Sequence, residues 1–283
     1  MSGHLRLWQR ASTVAVIALA TLSALVGLFR PGHYRAAPDF VTSYQVQDLA
    51  ILLIGVPVLA AGLWLEMRNS PRGRLVWLGG MAFMTYLWAS VAIQVPYNEL
   101  FLVYVALFGL SLFTFVGGLL STDADGIRRL VEGDINTTLY GGALFVIGVG
   151  LAALWLSDIV PAVLTGSTPS LVEESGPQAL TTHVIDLGVV VPSVFLAAVW
   201  LLRGHPWGYV LTGVLLVLGA MLAAPVGLMT LVLVGGETVT VTPIATVFTL
   251  LPVAVSTLLA VLYLRSMAER GQHSGDESRF QST

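Results

Sequence analysis

Apolar residues fill eight long segments of the chain, and short polar stretches separate one segment from the next. The hydrocarbon core of a bilayer is about 30 Å thick, so a helix of about 20 apolar residues crosses it. The pattern therefore predicts an all-α polytopic membrane protein with eight transmembrane helices. These helices are predicted near residues 12–29, 46–65, 74–95, 99–120, 138–163, 181–202, 208–233 and 240–264.

Composition agrees with a bilayer as the main partner of the chain. Of the 283 residues, 56% are hydrophobic and 10% are charged, whereas a soluble domain has about 25% charged residues. A soluble protein with so little charge could not cover its surface. The chain also contains no cysteine, which excludes disulfides, thiolate catalysis and cysteine-ligated metals.

The arginines indicate how the predicted helices are oriented. The chain has thirteen arginines and no lysine, and eleven of the arginines lie on one side of the predicted spans. Only Arg30 and Arg35 lie on the other side. Because cytoplasmic loops are enriched in basic residues, we expect both termini in the cytoplasm and a multi-pass protein of the plasma membrane.

The chain also contains an internal repeat. Gln45-x-x-Asp48 precedes one apolar run, and His183-x-x-Asp186 precedes another in the second half of the chain. Repeats on this scale are typical of membrane proteins whose two halves enclose a shared site. An even number of helices in each half predicts two repeats in parallel orientation, with Asp48 equivalent to Asp186. The same offset in residue number pairs two further acids, Glu99 with Glu237.

The repeat divides the chain into four predicted regions. A first four-helix repeat covers residues 1–120, and a second covers residues 138–265. The polar stretch 121–137 between them is predicted to be a cytoplasmic linker with a short helix capped by Asp123 or Asp125. Residues 266–283 are predicted to form a disordered cytoplasmic tail.

Polar residues near membrane depth concentrate at the predicted outer rim. With the loop acids, they give this side a formal charge of −6, against +3 on the cytoplasmic side. An acidic mouth with apolar walls concentrates cations. The sequence therefore favours a transporter or permease for a cation or small solute. The candidate binding residues are Gln45, Asp48, Glu99, Asp158, His183, Asp186 and Glu237.

Several of these candidate residues also have a simpler, structural interpretation. Asp48 and Asp186 fit helix caps, Glu99 and Glu237 fit turn acids, and His183 fits a hydrogen-bonded structural residue. A further alternative is a membrane-embedded sensor, assembly partner or metal-dependent enzyme with a His/Asp site at the outer rim. In ligand type, His33, His183 and Asp186 suit a divalent cation.

Several other functions are excluded or not indicated. The chain has no phosphate-binding loop and no G-x-S-x-G nucleophile motif, so no catalytic residue and no cofactor are identified. It has no basic, aromatic-rich surface of the kind that binds nucleic acid. The sequence indicates the lipid bilayer and a small solute or cation as partners, and it gives no indication of oligomeric state.

Three segments resemble a known type of protein. Tyr97–Val105 continues into Leu107–Phe113, His183-x-x-Asp186-Leu187 is followed by Pro192, and Arg203 to Gly208 contains Pro-Trp-Gly. Together these segments resemble uncharacterised eight-helix integral membrane proteins of bacteria and archaea. The resemblance spans most of residues 45–265. It implies the eight-helix topology and carries no activity and no functional residue.

Overall fold

The computed structural model describes residues 5–235 and 254–267, and these ranges are helical, with no β-strand. One 3-10 turn covers Pro177–Ala179, and two π-helical turns cover Ile51–Gly55 and Asp186–Val190. The α-helices are α1 (Leu7–Phe29), α2 (Pro38–Ala50), α3 (Val56–Met67), α4 (Pro71–Gln94), α5 (Phe101–Leu120), α6 (Ala124–Val131), α7 (Thr137–Thr165), α8 (Ser170–Ser175), α9 (Leu180–Ile185), α10 (Val191–Leu202), α11 (Pro206–Gly235) and α12 (Ala254–Met267).

Seven helical stretches of the described chain are long and apolar enough to cross a membrane. They cover Leu7–Phe29, Phe40–Met67, Pro71–Gln94, Phe101–Leu120, Thr137–Thr165, Pro177–Leu202 and Pro206–Ala223. The chain therefore has the helices of a multi-pass membrane protein. Of the eighth predicted span, the structure describes the part within α12, which is a shorter apolar helix. Glu237 and the tail beyond Met267 lie outside the described residues.

The second span begins earlier than its hydropathy predicts. The sequence places its start near residue 46, whereas α2 begins at Pro38. The first turns of this helix are polar, and a polar stretch resembles a loop when hydropathy alone is considered. Here α2 packs on α1 and α11, so side chains such as that of Tyr44 become buried and the helix extends through them.

Each π-helical turn precedes a proline. Ile51–Gly55 ends two residues before Pro57, and Asp186–Val190 ends two residues before Pro192. Proline has no backbone N–H and its ring crowds the preceding turn, so a regular helix cannot continue unchanged through it. A π-helical turn accommodates this disruption while the helix stays continuous.

Two helical hairpins have the same local geometry. The turn between α3 and α4 contains Asn69 with φ 60°, and the turn between α10 and α11 contains Gly204 with φ 65°. In the next helix of each hairpin, Gly73 and Gly208 lie directly against the backbone of the helix before, where a Cβ would collide with Glu66 N or Leu201 N. Both hairpins therefore depend on a glycine at the point of closest approach.

The element boundaries of these two hairpins correspond at a constant spacing along the chain. Val56 begins α3 and Val191 begins α10, and the same spacing separates Pro71 from Pro206 at the starts of α4 and α11. This spacing is slightly shorter than the offset between the two sequence motifs. At the spacing of the hairpins, Asp48 corresponds to His183, whereas the sequence motifs pair it with Asp186.

The core is centred on α4, the most buried of the seven candidate spans. Trp77, Phe83 and Trp88 on this helix are almost completely buried, and α4 packs against α3, α5 and α11. Near its start, the Arg74 guanidinium lies 2.8 Å from the Glu66 carboxylate, and both side chains are buried. Helix α4 therefore contacts helices from both the first and the second half of the chain.

Candidate functional site

The end of the bundle where α4 ends and α9 begins, called here the arginine-poor end, holds the described candidate residues. Asp48 lies there, deep in the protein with 3% of its surface exposed. It accepts a 2.6 Å hydrogen bond from the Tyr34 hydroxyl. Burial is the main cause that raises the pKa of the Tyr34 hydroxyl, and the neighbouring Asp48 carboxylate raises it further. The two side chains therefore form a buried hydrogen-bonded pair.

The interpretation of Asp48 and Asp186 as helix caps is wrong. Ala37 is the N-cap of α2, and Asp48 lies near the end of that helix. Asp186 begins a π-helical turn inside a helical stretch that runs from Pro177 to Leu202. Neither carboxylate is placed to accept from free N–H groups at a helix start, so both bind side chains instead.

Glu99 connects three segments at this end. It lies in the connection from α4 to α5, 2.8 Å from Arg30 Nη1 and 3.2 Å from His33 Nδ1. The other ring nitrogen of His33 lies 3.0 Å from the Tyr104 hydroxyl. Hydrogen bonds from its own backbone N–H and from His33, with the Arg30 guanidinium nearby, hold the pKa of Glu99 below its ordinary value. The group ties the loop after α1 to α5.

A second cluster surrounds Asp186. The Trp155 indole N–H donates a 2.8 Å hydrogen bond to its Oδ2, and the Tyr86 hydroxyl lies near the same carboxylate. The Trp155 ring also packs on His183, with ring centroids 4.4 Å apart. Sequence reasoning missed Trp155 and Tyr86. An aromatic residue in an apolar span is normally interpreted as a core residue or a lipid contact, and its hydrogen-bond partner is visible only in the folded chain.

His183 lies at the centre of this cluster, with 3% of its surface exposed. Its Nδ1 is 2.8 Å from the carbonyl oxygen of Ala179. Its Nε2 is buried and has no hydrogen-bond partner among the described residues, and the nearest recorded acid oxygen, on Asp158, is 3.9 Å away. The interpretation of His183 as a hydrogen-bonded structural residue therefore accounts for one nitrogen of the ring and not for the other.

Asp158 has a structural partner of its own. One of its oxygens accepts from the backbone N–H of Ser170 at 2.9 Å and from the Ser170 hydroxyl at 2.6 Å. This contact fastens the start of α8 to α7. Asp158 therefore lies between His183 and the start of α8.

His183 also lines a cleft of about 260 Å³ between α2, the end of α4, α7 and α9. Gln94 bridges it, because its amide N–H donates to the Thr182 hydroxyl at 2.9 Å and its backbone oxygen accepts from the Tyr44 hydroxyl at 3.3 Å. The described residues that line it are Phe40, Ser43, Tyr44, Gln47, Gln94, Trp155, Leu171, Gln178, Ala179, Thr182 and His183.

The remaining candidates lie at the same end but outside this cleft. Gln45 lines a separate depression of about 240 Å³, together with His33 and Tyr34. The structure therefore groups Gln45, His33, Asp48 and Glu99 on the α1–α2 side, and Asp158, His183 and Asp186 on the α7–α9 side. In residues 5–235 and 254–267, no group of three or more histidines and acids is arranged to hold a metal ion.

Comparison of the chain with protein-family models, with curated proteins and with solved structures gives no match. The resemblance to eight-helix membrane proteins of bacteria and archaea therefore adds neither a family nor an activity. The geometry of the arginine-poor end is the basis for a functional conclusion.

Proposed function

We propose that this protein is a permease that binds a small solute in the cleft between two repeated halves of a membrane-embedded helix bundle. The observation that carries the proposal is the pairing of positions across the cleft. Tyr44 and Gln47 of α2 line one wall, and their equivalents at the spacing of the two hairpins, Ala179 and Thr182, line the other. Ser43 and Gln178 make a third such pair. A site between equivalent elements of two repeats is typical of transporters.

The matching element boundaries support the duplication itself. The hairpin α3–α4 and the hairpin α10–α11 share equivalent starting positions, a left-handed residue in the turn and a closely packed glycine. We propose on this basis that the two halves descend from one four-helix unit. Each then contributes four spans in parallel orientation, with the eighth span including α12 (Ala254–Met267).

The arginine distribution supports the orientation that we propose. Arg128 and Arg129 lie on α6 (Ala124–Val131), at the end of the bundle opposite the cleft. Positive charge of this kind marks the cytoplasmic side. Both termini are then cytoplasmic, and the cleft opens to the outside of the plasma membrane.

The π-helical turns supply a structural basis for opening and closing. The turn Ile51–Gly55 follows the cleft-lining residues of α2 by one to two helical turns. The turn Asp186–Val190 follows those of α9 in the same way. Breaks in regular helix at membrane depth are where the segments of transporter helices move relative to one another. Movement about the two turns changes the width of the cleft from both sides.

A permeation assay tests the proposal. The full chain is reconstituted into liposomes, and swelling after an osmotic step is followed by light scattering for a panel of neutral and ionic small solutes. We expect at least one solute to enter faster than into empty liposomes. Thr182→Trp, which fills the cleft, abolishes the difference, whereas Thr168→Trp in the exposed α7–α8 connection retains it.

Two results would contradict the proposal. One is the absence of protein-dependent permeation for the whole panel when the reconstituted chain is folded. The other is permeation through Thr182→Trp at the rate of the parent protein.

A further inference from the structure

The described lining of the cleft is uncharged apart from the histidine. It contains amides, hydroxyls, an imidazole and aromatic rings, and among these residues there is no Asp, Glu, Arg or Lys. The acids near it bind protein groups, since Asp186 accepts from Trp155, and Asp158 accepts from Ser170 and lies 3.9 Å from His183 Nε2. Binding of an ion in a partly buried site needs an opposite charge or several oriented ligands to replace its hydration. The composition of this cleft therefore favours a neutral ligand.

The hydrogen bond of His183 to a carbonyl sets what the ring offers to that ligand. A carbonyl oxygen only accepts, so the short contact with Ala179 places the hydrogen of the neutral ring on Nδ1. Nε2 then carries a lone pair and accepts a hydrogen bond. This nitrogen is buried beside Asp158, 3.9 Å from its Oδ2, and has no hydrogen-bond partner among the described residues, so a hydroxyl or N–H that reaches it from the cleft would satisfy it.

Gln94 supplies a second acceptor. Its amide N–H is directed at the Thr182 hydroxyl, which leaves its side-chain carbonyl oxygen for another donor. A ligand with two or more hydroxyls can donate to both Gln94 and His183. The acceptors thus select for a polyhydroxylated molecule over one with a single polar group.

The aromatic residues of the cleft fit the apolar face of such a molecule. Phe40 and Tyr44 lie on the α2 side, and Trp155 lies on the α7 side. The Trp155 ring is held in place by its bond to Asp186 and its packing on His183. A fixed ring loses little side-chain freedom when a ligand packs on it. Ring faces beside amide groups suit the C–H surface and the hydroxyl edge of a sugar ring.

From this arrangement we infer that the cleft binds a neutral polyhydroxylated solute of monosaccharide size, an inference that rests on the proposed function. The volume of about 260 Å³ is below the range of about 300–1,000 Å³ typical of drug-sized ligands. This volume is in the size range of a single sugar ring.

Glucose, potassium chloride and magnesium chloride are the probes of the test. Purified full-length protein in detergent is titrated with each, and the unfolding temperature and tryptophan fluorescence are recorded. We expect glucose to give a saturable response and a higher unfolding temperature. His183→Ala and Thr182→Val should weaken glucose binding about tenfold, the equivalent of about 1.4 kcal/mol for a lost buried hydrogen bond. His205→Ala, an exposed histidine outside the cleft, should bind like the parent.

A lipid with a sugar headgroup presents the same hydroxyls, so a second arm separates the two sources. Nanodiscs of phosphatidylcholine with and without glucosyl-diacylglycerol are compared in the absence of free glucose. A higher unfolding temperature with free glucose shows that the ligand is soluble. A higher unfolding temperature with the glycolipid alone shows that the ligand is a lipid headgroup. Either result supports the inference when Thr182→Val weakens the response.

Other results overturn the inference, and they are distinct from failure of the proposed function. Binding of K⁺ or Mg²⁺ that depends on Thr182, without any response to the sugar, excludes a neutral ligand and leaves a solute permease in place. Sugar binding that is equal in the parent, Thr182→Val and Gln94→Leu places the sugar outside the cleft. Sugar binding in the cleft without sugar entry into liposomes retains the ligand and refutes the permease.

Discussion

Asp48 illustrates how neighbours decide the role of a single residue. Its position near a predicted helix start is compatible with a cap, and its side chain instead accepts from Tyr34 at 2.6 Å. The repeated motif in the sequence identifies Asp48 as a candidate functional residue. It does not identify Tyr34, because the loop after α1 could place that ring in many positions and only the packed structure selects one.

The buried pair of Glu66 and Arg74 provides a prediction at the same scale. Glu66→Gln leaves the Arg74 guanidinium buried without its counter-charge, so we expect a loss of about 3–5 kcal/mol in the free energy of unfolding. The equivalent positions of the second hairpin are Leu201 and Tyr209, both buried. The double variant Glu66→Leu with Arg74→Tyr copies them and should recover at least half of that loss.

Denaturant unfolding in detergent measures these effects. The control is Arg128→Gln, which breaks an exposed ion pair with Glu132 on α6 and should cost less than about 1 kcal/mol. A single variant Glu66→Gln as stable as this control would show that the buried pair contributes little.

At the scale of elements, hydropathy located the long apolar helices and failed where a helix is polar. The capping residues of the polar linker predicted the short helix α6, which begins after Asp123. Hydropathy missed the polar first turns of α2, because the partners that bury them lie on other helices, α1 and α11. For the same reason, sequence reasoning identified His183 and missed Gln94 and Trp155, whose roles depend on helices that meet only in the folded chain.

The two hairpins give a prediction at this scale. Gly73→Ala and Gly208→Ala each place a Cβ against the backbone of the preceding helix, so each should destabilise the protein by about 1–3 kcal/mol through overpacking. Gly150→Ala in α7 is the matched control, since a Cβ there meets nothing within 4 Å. That substitution should be neutral or stabilise by about 0.5–1 kcal/mol. Equal unfolding temperatures for all three variants would contradict the hairpin geometry.

At the scale of the whole molecule, orientation across the membrane remains a prediction from the arginines. The chain has no cysteine, so single cysteines report accessibility without background. A cysteine that replaces Thr168, in the exposed α7–α8 connection, should react with an impermeant maleimide added outside cells. A cysteine that replaces Asp125 on α6 should react only after the membrane is opened. The reverse labelling pattern would show that the orientation is the opposite one, with the cleft on the cytoplasmic side.

The central claim is that solute passes through the cleft between the two halves, and cross-linking across it is the most direct test. Cysteines replace Gln94 and Thr182, whose side chains are in hydrogen-bond contact, and a short bifunctional methanethiosulfonate joins them in liposomes. We predict that solute entry stops on cross-linking and returns on reduction, while a pair replacing Asn136 and Ser266 in a depression at the other end cross-links without effect. Complete cross-linking of Gln94→Cys to Thr182→Cys with undiminished solute entry would contradict the account.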